Sequence, residues 1–151
     1  KDKGTLTLLE AAKKLPELKF VFAGFGSAEE QIKNVPNAEY VGFKTGEELK
    51  ELIAKANVSV CPSEWYENCP FSVIESQVYG TPVVGSRLGG IPELIKEGET
   101  GLLFEAGNAL DLTEKIRQIV NDNENYIRNC KNVSFETSES YYDKLIDIYR
   151  G

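Results

Sequence analysis

The sequence predicts an α/β fold built on a mostly parallel, doubly wound sheet. Three observations lead there. Short apolar runs at residues 19–23, 38–42, 58–61, 82–85 and 102–104 read as strands. Segments with helical periodicity stand between them, which implies crossover connections. Unusual glycine- and proline-rich loops follow the runs: Gly24-Phe-Gly26, Gly42-Phe43, Pro62 to Pro70 and Ser86 to Gly90. In a parallel sheet these loops share the carboxyl edge, where ligands bind.

The elements can be justified in order. Residues 5–15 place Leu8, Leu9, Ala12 and Leu15 on one helical face and stop before Pro16. After the first strand, Ser27 and Glu30 have capping-box spacing, which opens a helix over 27–33. Thr45 and Glu48 repeat the device for a helix over 46–56, with Leu49, Leu52 and Ile53 toward the core. Pro70 is expected at the first position of a further helix, where its missing N–H costs nothing. Pro92, after Gly89-Gly90-Ile91, reads the same way. Residues 108–121 form an amphipathic helix carrying Leu112, Ile116, Ile119 and Val120. A last helix over about 138–150 carries Tyr141, Tyr142, Leu145, Ile146 and Tyr149, and its aromatic stripe of Tyr141, Tyr142 and Tyr149 reads as packing rather than as a base-stacking platform.

Bulk properties narrow the function. The 151 residues, 16.8 kDa, have the size of one domain, and 1–151 is read as a single one. With 41% hydrophobic residues the chain can bury a core. A net charge of −7 excludes a general nucleic-acid surface, so an anion must be held by backbone amides and a few placed cations. No run of about 18 apolar residues suits a membrane span, and no signal-peptide pattern opens the chain. Cys61, Cys69 and Cys130 are odd in number and fit neither a disulfide nor a metal framework. With no histidine, imidazole acid/base chemistry and most zinc sites are excluded, and no metal is expected. A reducing cytoplasm fits this composition.

The chemistry concentrates in one stretch. Glu67 and Glu75 stand eight residues apart around Pro70. A helix starting there turns the amides of Phe71 and Ser72 outward, and amides with the helix dipole suit a phosphate. Carboxylates accept hydrogen bonds from sugar hydroxyls, so the combination points to a nucleotide-sugar. Competing readings stay open. Ser72 and Glu75 have capping-box spacing, and Glu64 rivals Glu67 as the loop carboxylate. Two close acids could instead be the acid and base of a glycosidase, but the helix mouth between them favours anchoring. Gly24-Phe-Gly26 begins a dinucleotide fingerprint, yet Glu29 at its third glycine position would repel a pyrophosphate. Gly24 and Gly26 are either a tight turn or a close approach to a ligand. Gly89-Gly90 leaves the same choice. Lys3, before Gly4, either aims its ammonium at a diphosphate or is a surface lysine.

Taken in order, Lys3-Gly4, Phe22-Ala-Gly-Phe-Gly26, Tyr40-Val-Gly-Phe43, Pro62-Ser-Glu-Trp-Tyr-Glu67, Glu75, Tyr79-Gly-Thr-Pro-Val-Val84, Gly89-Gly-Ile-Pro-Glu93 and Gly98-Glu-Thr-Gly-Leu-Leu-Phe104 form a pattern. Over about residues 3–120 it resembles the C-terminal donor-binding domain of group 1 (family four) retaining glycosyltransferases of the GT-B fold. The resemblance implies a Rossmann-like half of that fold, with the first strand lying outside this chain. That strand would be central, and its absence would leave its neighbours without ladder partners. Also outside would be an upstream arginine and the acceptor-binding N-terminal domain, toward which the last helix crosses. The implied function is binding of a UDP- or GDP-sugar, from which the whole enzyme moves a hexose to a glycan, lipid or other acceptor. The donor is a substrate, and neither a cofactor nor a metal is implied. Lys3 would neutralise the diphosphate. Glu67, the candidate catalytic residue, would contact the sugar hydroxyls, and Glu75 would hold the ribose. Phe71 and Ser72, after Pro70, would offer amides, Phe43 would border the base, and Gly24 with Gly26 would make room. Fixing the leaving diphosphate would be the main catalytic contribution. Alone, the chain would bind donor weakly and transfer nothing, and any membrane contact would run through the missing domain. The rival readings are an NAD-dependent sugar-nucleotide enzyme and a degenerate Rossmann-like domain kept for protein contacts.

Overall fold

The computed structural model describes residues 3–134 and 138–150. Its elements alternate: α1 (Thr5–Lys13), β1 (Phe20–Ala23), α2 (Glu29–Lys33), β2 (Ala38–Gly42), α3 (Gly46–Ala54), β3 (Ser59–Cys61) and α4 (Phe71–Val78). Then follow β4 (Val83–Ser86), α5 (Ile91–Leu94), β5 (Gly101–Phe104), α6 (Ala109–Asn121), α7 (Asn123–Lys131) and α8 (Ser138–Arg150).

Every strand pairing is parallel, but the strands form two sheets. One is β1-β2, with Phe20 opposite Ala38; the other is β3-β4-β5, with Val84 between Val60 and Leu102. Among the described residues no ladder joins β1 to β3. The expectation of strands lacking partners beside a central position therefore takes a specific form, a sheet divided between β1 and β3.

Side-chain alternation along β4 and β5 produces the double winding. Val84, Leu102 and Phe104 point to one face, where α1 and α6 cover them with Leu9, Ala11, Ala12, Leu112, Ile116 and Ile119. Val83 and Leu103 point to the other, against Val73 of α4, Ile91 of α5 and Ile95. Both strands are wholly buried, as strands covered on both faces must be. The Asn37 side-chain amide lies 2.9 Å from each of the carbonyl oxygens of Ala12, Leu15 and Leu18, so it satisfies the end of α1 and ties it to the entry of β2.

Local expectations fail where packing or backbone geometry takes over. Ser27 does not cap α2, whose N-cap is Ala28, and Thr45 sits at the N-cap of α3 without a side-chain bond. Asn108 does cap, accepting from the amides of Leu110 and Asp111 at 3.1 Å. The α3 residues Leu49, Leu52 and Ile53 are only half-buried, because this helix connects the two separate sheets and has no continuous sheet beneath it. Helix α7 was not anticipated; it buries Tyr126 and Cys130 within a strongly polar stretch. Leu145 and Ile146 of α8 are half-buried, but Tyr141, Tyr142 and Tyr149, the aromatic stripe read as packing, are exposed within the described residues.

Ile116 is fully buried at the α6–sheet contact. Ile116→Ala should cost about 2–5 kcal/mol, the range for deleting a large buried aliphatic side chain. Denaturant titration would show this as a lower midpoint with an unchanged slope.

Candidate functional site

The β3–α4 loop carries the site, and contacts from two directions hold it. From one side comes the start of α1. Gly4 has φ 67°, and a Cβ there would lie 1.7 Å from the Pro62 carbonyl oxygen. Only glycine permits that approach. Thr7 then donates from Oγ1 to Glu64 Oε1 at 2.5 Å. From the other side comes the loop after β4. A Cβ on Gly89 would fall 2.5 Å from the Glu67 carbonyl oxygen, and one on Gly90 1.9 Å from that of Asn68. The Gly90 amide donates to the Glu67 carbonyl at 2.7 Å. Gly89-Gly90 therefore makes a close backbone approach to another loop.

Those contacts place the two loop carboxylates differently. Glu64 is bonded to Thr7, whereas Glu67 is turned inward with its side chain only 17% exposed. Lys3 reaches across from before α1 and pairs with Glu67 Oε1. Ser63 Oγ donates to the same oxygen at 3.0 Å. The Lys3 ammonium, with help from Ser63, holds the Glu67 carboxyl below the usual range although partial burial opposes it.

Pro70 is the N-cap of α4 rather than its first residue, with φ −70° and ψ 109°. The helix thus starts one position later than expected, because the extended ψ of Pro70 places it outside the turn. The Val73 amide makes the first helical bond, to the Pro70 carbonyl at 3.0 Å, so the amides of Phe71 and Ser72 precede the intrahelical ladder. Ser72 lies inside the first turn and makes no side-chain cap, so the capping-box reading of Ser72 and Glu75 is excluded. Its carbonyl instead accepts from Ser76 Oγ at 2.7 Å.

A cavity of about 540 Å³ opens between the carboxyl ends of β1 and β3, lined by Ala23 on one side and Val60 and Cys61 on the other. That volume lies within the range of about 300–1,000 Å³ common to small-molecule sites. Lys3, Glu67, Pro70, Phe71 and Ser72 all border it. The remaining expected residues do not. Glu75 is exposed one turn further along α4. Gly24 is required by its φ of 136°, a turn requirement, while a Cβ on either Gly24 or Gly26 would meet nothing within 4 Å. Phe43 stacks on Phe25 with centroids 4.9 Å apart and both rings exposed. The sequence reading missed Ser63, Cys61 and Cys69, which also border the cavity. Ser63 sits four residues before Glu67, and that spacing was its one available signal. Among the described residues no group of three or more His, Cys, Asp or Glu is placed to hold a metal ion. No described helix is long and apolar enough to cross a membrane.

A sequence profile of the family described as "Glycosyl transferases, group 1" matches residues 1–134. The chain belongs to that family. Among its curated relatives is the sulfoquinovosyl transferase SQD2 of Arabidopsis thaliana, 36% identical over 129 residues, covering 82% of this chain and 25% of the relative. Another is the N-acetyl-alpha-D-glucosaminyl L-malate synthase of Bacillus anthracis, 31% identical over 115 residues, covering 76% and 29%. The fold agrees with that of group 1 glycosyltransferases. Sucrose-phosphate synthase from Thermosynechococcus elongatus superposes on 99% of this chain with a TM-score of 0.82 at 27% identity, using 42% of its own length. Anabaena Alr3699/HepE in complex with UDP does so with a TM-score of 0.84 at 19% identity, using 46%. The chain thus spans between 25% and 46% of the four proteins just named, and its fold matches one Rossmann-like half of the GT-B fold.

Two measurements probe thiol burial and the electrostatics of Glu67. Burial pushes the Cys130 thiol up to about 11 and also raises that of half-buried Cys61, whereas Cys69 is exposed. A thiol reagent near pH 8 should modify Cys69 fast and Cys130 only on unfolding; rapid reaction of Cys130 would contradict its burial. The depressed Glu67 carboxyl contributes stability that is present above its unfolded pKa and lost as pH falls through the folded one. The stability advantage of wild type over Glu67→Gln should accordingly vanish in acid, as read from denaturation midpoints across pH.

Proposed function

We propose that this chain is the donor-binding half of a retaining, metal-independent hexosyltransferase that uses a UDP- or GDP-sugar and works in the cytoplasm. One observation carries the reading. Lys3, Glu67 and the amino end of α4 border a single cavity at the carboxyl ends of parallel strands. A cation and outward amides suit a diphosphate, and a carboxylate suits sugar hydroxyls. The UDP bound in Anabaena Alr3699/HepE supports a uridine nucleotide as the first candidate.

In this reading the diphosphate lies over the amides of Phe71 and Ser72, with Lys3 turning to its oxygens. Stabilising the departing diphosphate is then the catalytic contribution of this half. Glu67 accepts from hydroxyls of the hexose and needs no nucleophilic role. Glu75, four residues beyond Phe71 and so about 6 Å further along the axis, takes the ribose hydroxyls. Phe43, with Phe25, borders the base. The acceptor is held by a domain outside this chain, so the chain alone binds donor and transfers nothing. Any membrane contact also belongs to that domain.

Calorimetric titration with UDP, UDP-glucose, GDP and GDP-mannose tests the assignment. Binding to one nucleotide series is expected; binding to neither, with the fold intact, overturns it. Glu75→Gln should weaken free nucleotide by about tenfold, the scale of one hydrogen bond to a charged group. Glu67→Gln should instead reduce the extra affinity given by the sugar. Equal losses of free nucleotide affinity in the two variants would contradict these roles.

A further inference from the structure

Among the described residues two groups bond to the Glu67 carboxylate, and the proposed function calls one of them away when a donor arrives. Lys3 and Ser63 both bond to Oε1. Lys3 is long and 75% exposed, and the proposed function calls its ammonium to the diphosphate. Once it turns there, Ser63 is the remaining bonded partner of Glu67 among the described residues. Ser63 differs from Lys3 in every respect that matters for orientation. It is 2% exposed and has one side-chain torsion to order. Its own backbone is fixed from below, because the wholly buried Ser86 donates from Oγ to the Ser63 carbonyl at 2.7 Å.

The Ser63 hydroxyl has a single proton, and the acceptors near it include Glu67 Oε1 at 3.0 Å and the Trp65 carbonyl at 3.2 Å. The ionised carboxylate is the stronger acceptor. The Trp65 amide meanwhile donates to Ser63 Oγ at 3.3 Å, so the hydroxyl is a pivot of the turn as well as a ligand of the carboxylate. Both bonds to Glu67 fall on Oε1, which leaves Oε2 for a hydroxyl of the sugar.

We propose that Ser63, with Ser86 behind it, is the positioning residue that keeps Glu67 aimed at the donor sugar after Lys3 has moved to the diphosphate. The proposal rests on the donor-binding reading given above. Ser63 touches no reacting atom in this scheme. It acts through Glu67, and its effect should appear in sugar recognition rather than in nucleotide binding.

The test uses the 151-residue chain and whichever of UDP-glucose and GDP-mannose it binds more tightly, each measured beside its free nucleoside diphosphate. The readout is the ratio of the two dissociation constants, the affinity gained from the sugar, followed across pH. Ser63→Ala should lower that ratio by about fivefold or more, from loss of a bond to a charged group, while free UDP or GDP affinity stays within about twofold. It should also raise the pH at which the sugar gain is lost, since Ser63 helps hold the Glu67 carboxyl low. Ser63→Thr retains the hydroxyl and should restore both values. Should Ser63→Ala fail to fold, Ser86→Ala gives the same readout with a smaller loss. An unchanged ratio and pH midpoint in folded variants would overturn the inference, as would equal losses for nucleotide and nucleotide-sugar. Wild type that binds none of the four ligands would instead overturn the donor-binding reading itself.

Discussion

The site depends on backbone contacts made possible by missing side chains. Gly4 seats against Pro62, and Gly89 with Gly90 seats against Glu67 and Asn68. These approaches are too close for any Cβ, so they immobilise the β3–α4 loop without help from its own secondary structure. Everything chemical follows from that clamp. It turns Glu64 toward Thr7 and Glu67 toward the cavity, and it brings Lys3 over a residue 64 positions away. Ion pairing alone would not hold such a loop, because exposed pairs contribute little. Here the pair decorates a loop already fixed by steric fit.

The divided sheet gives the cavity its place. Strands β1 and β3 are not laddered to one another, and their carboxyl ends line opposite sides of the same space. The core beneath is continuous regardless, since α1 and α6 span it with Leu9, Ala12, Leu112 and Ile116. Stability and site are therefore separable in this chain. The buried aliphatic layer around β4 and β5 holds the fold, while the rim loops carry polar groups at little expense to it.

Much of this was legible in the residues. The strands and most helices follow from apolar periodicity, a signal that survives because both faces of β4 and β5 are covered. Helix α7 was not legible: its stretch is polar, and it exists because Tyr126 and Cys130 find room against α4 and α6. The capping-box spacing at Thr45 located the N-cap of α3 but not a side-chain bond, and that at Ser27 fell one residue before the N-cap of α2, since spacing says nothing about whether the side chain reaches the amide. The tyrosines of α8 misled in another way. An amphipathic stripe shows that a helix has a face to cover, and it cannot say what covers it.

For the site, the residue types and their order pointed to the family. A loop carboxylate, a proline-started helix and a lysine before a glycine match the group 1 glycosyltransferase pattern. Spacing could not say which of Glu64 and Glu67 borders the cavity, that Gly89-Gly90 seats against a loop, or that Ser72 makes no cap. Nor did it single out Ser63. Those choices turn on which groups meet across the fold, and such contacts join residues tens of positions apart. Only the tertiary structure decided them, because a clash of 1.7 Å or a bond of 3.0 Å exists only once the chain has closed on itself.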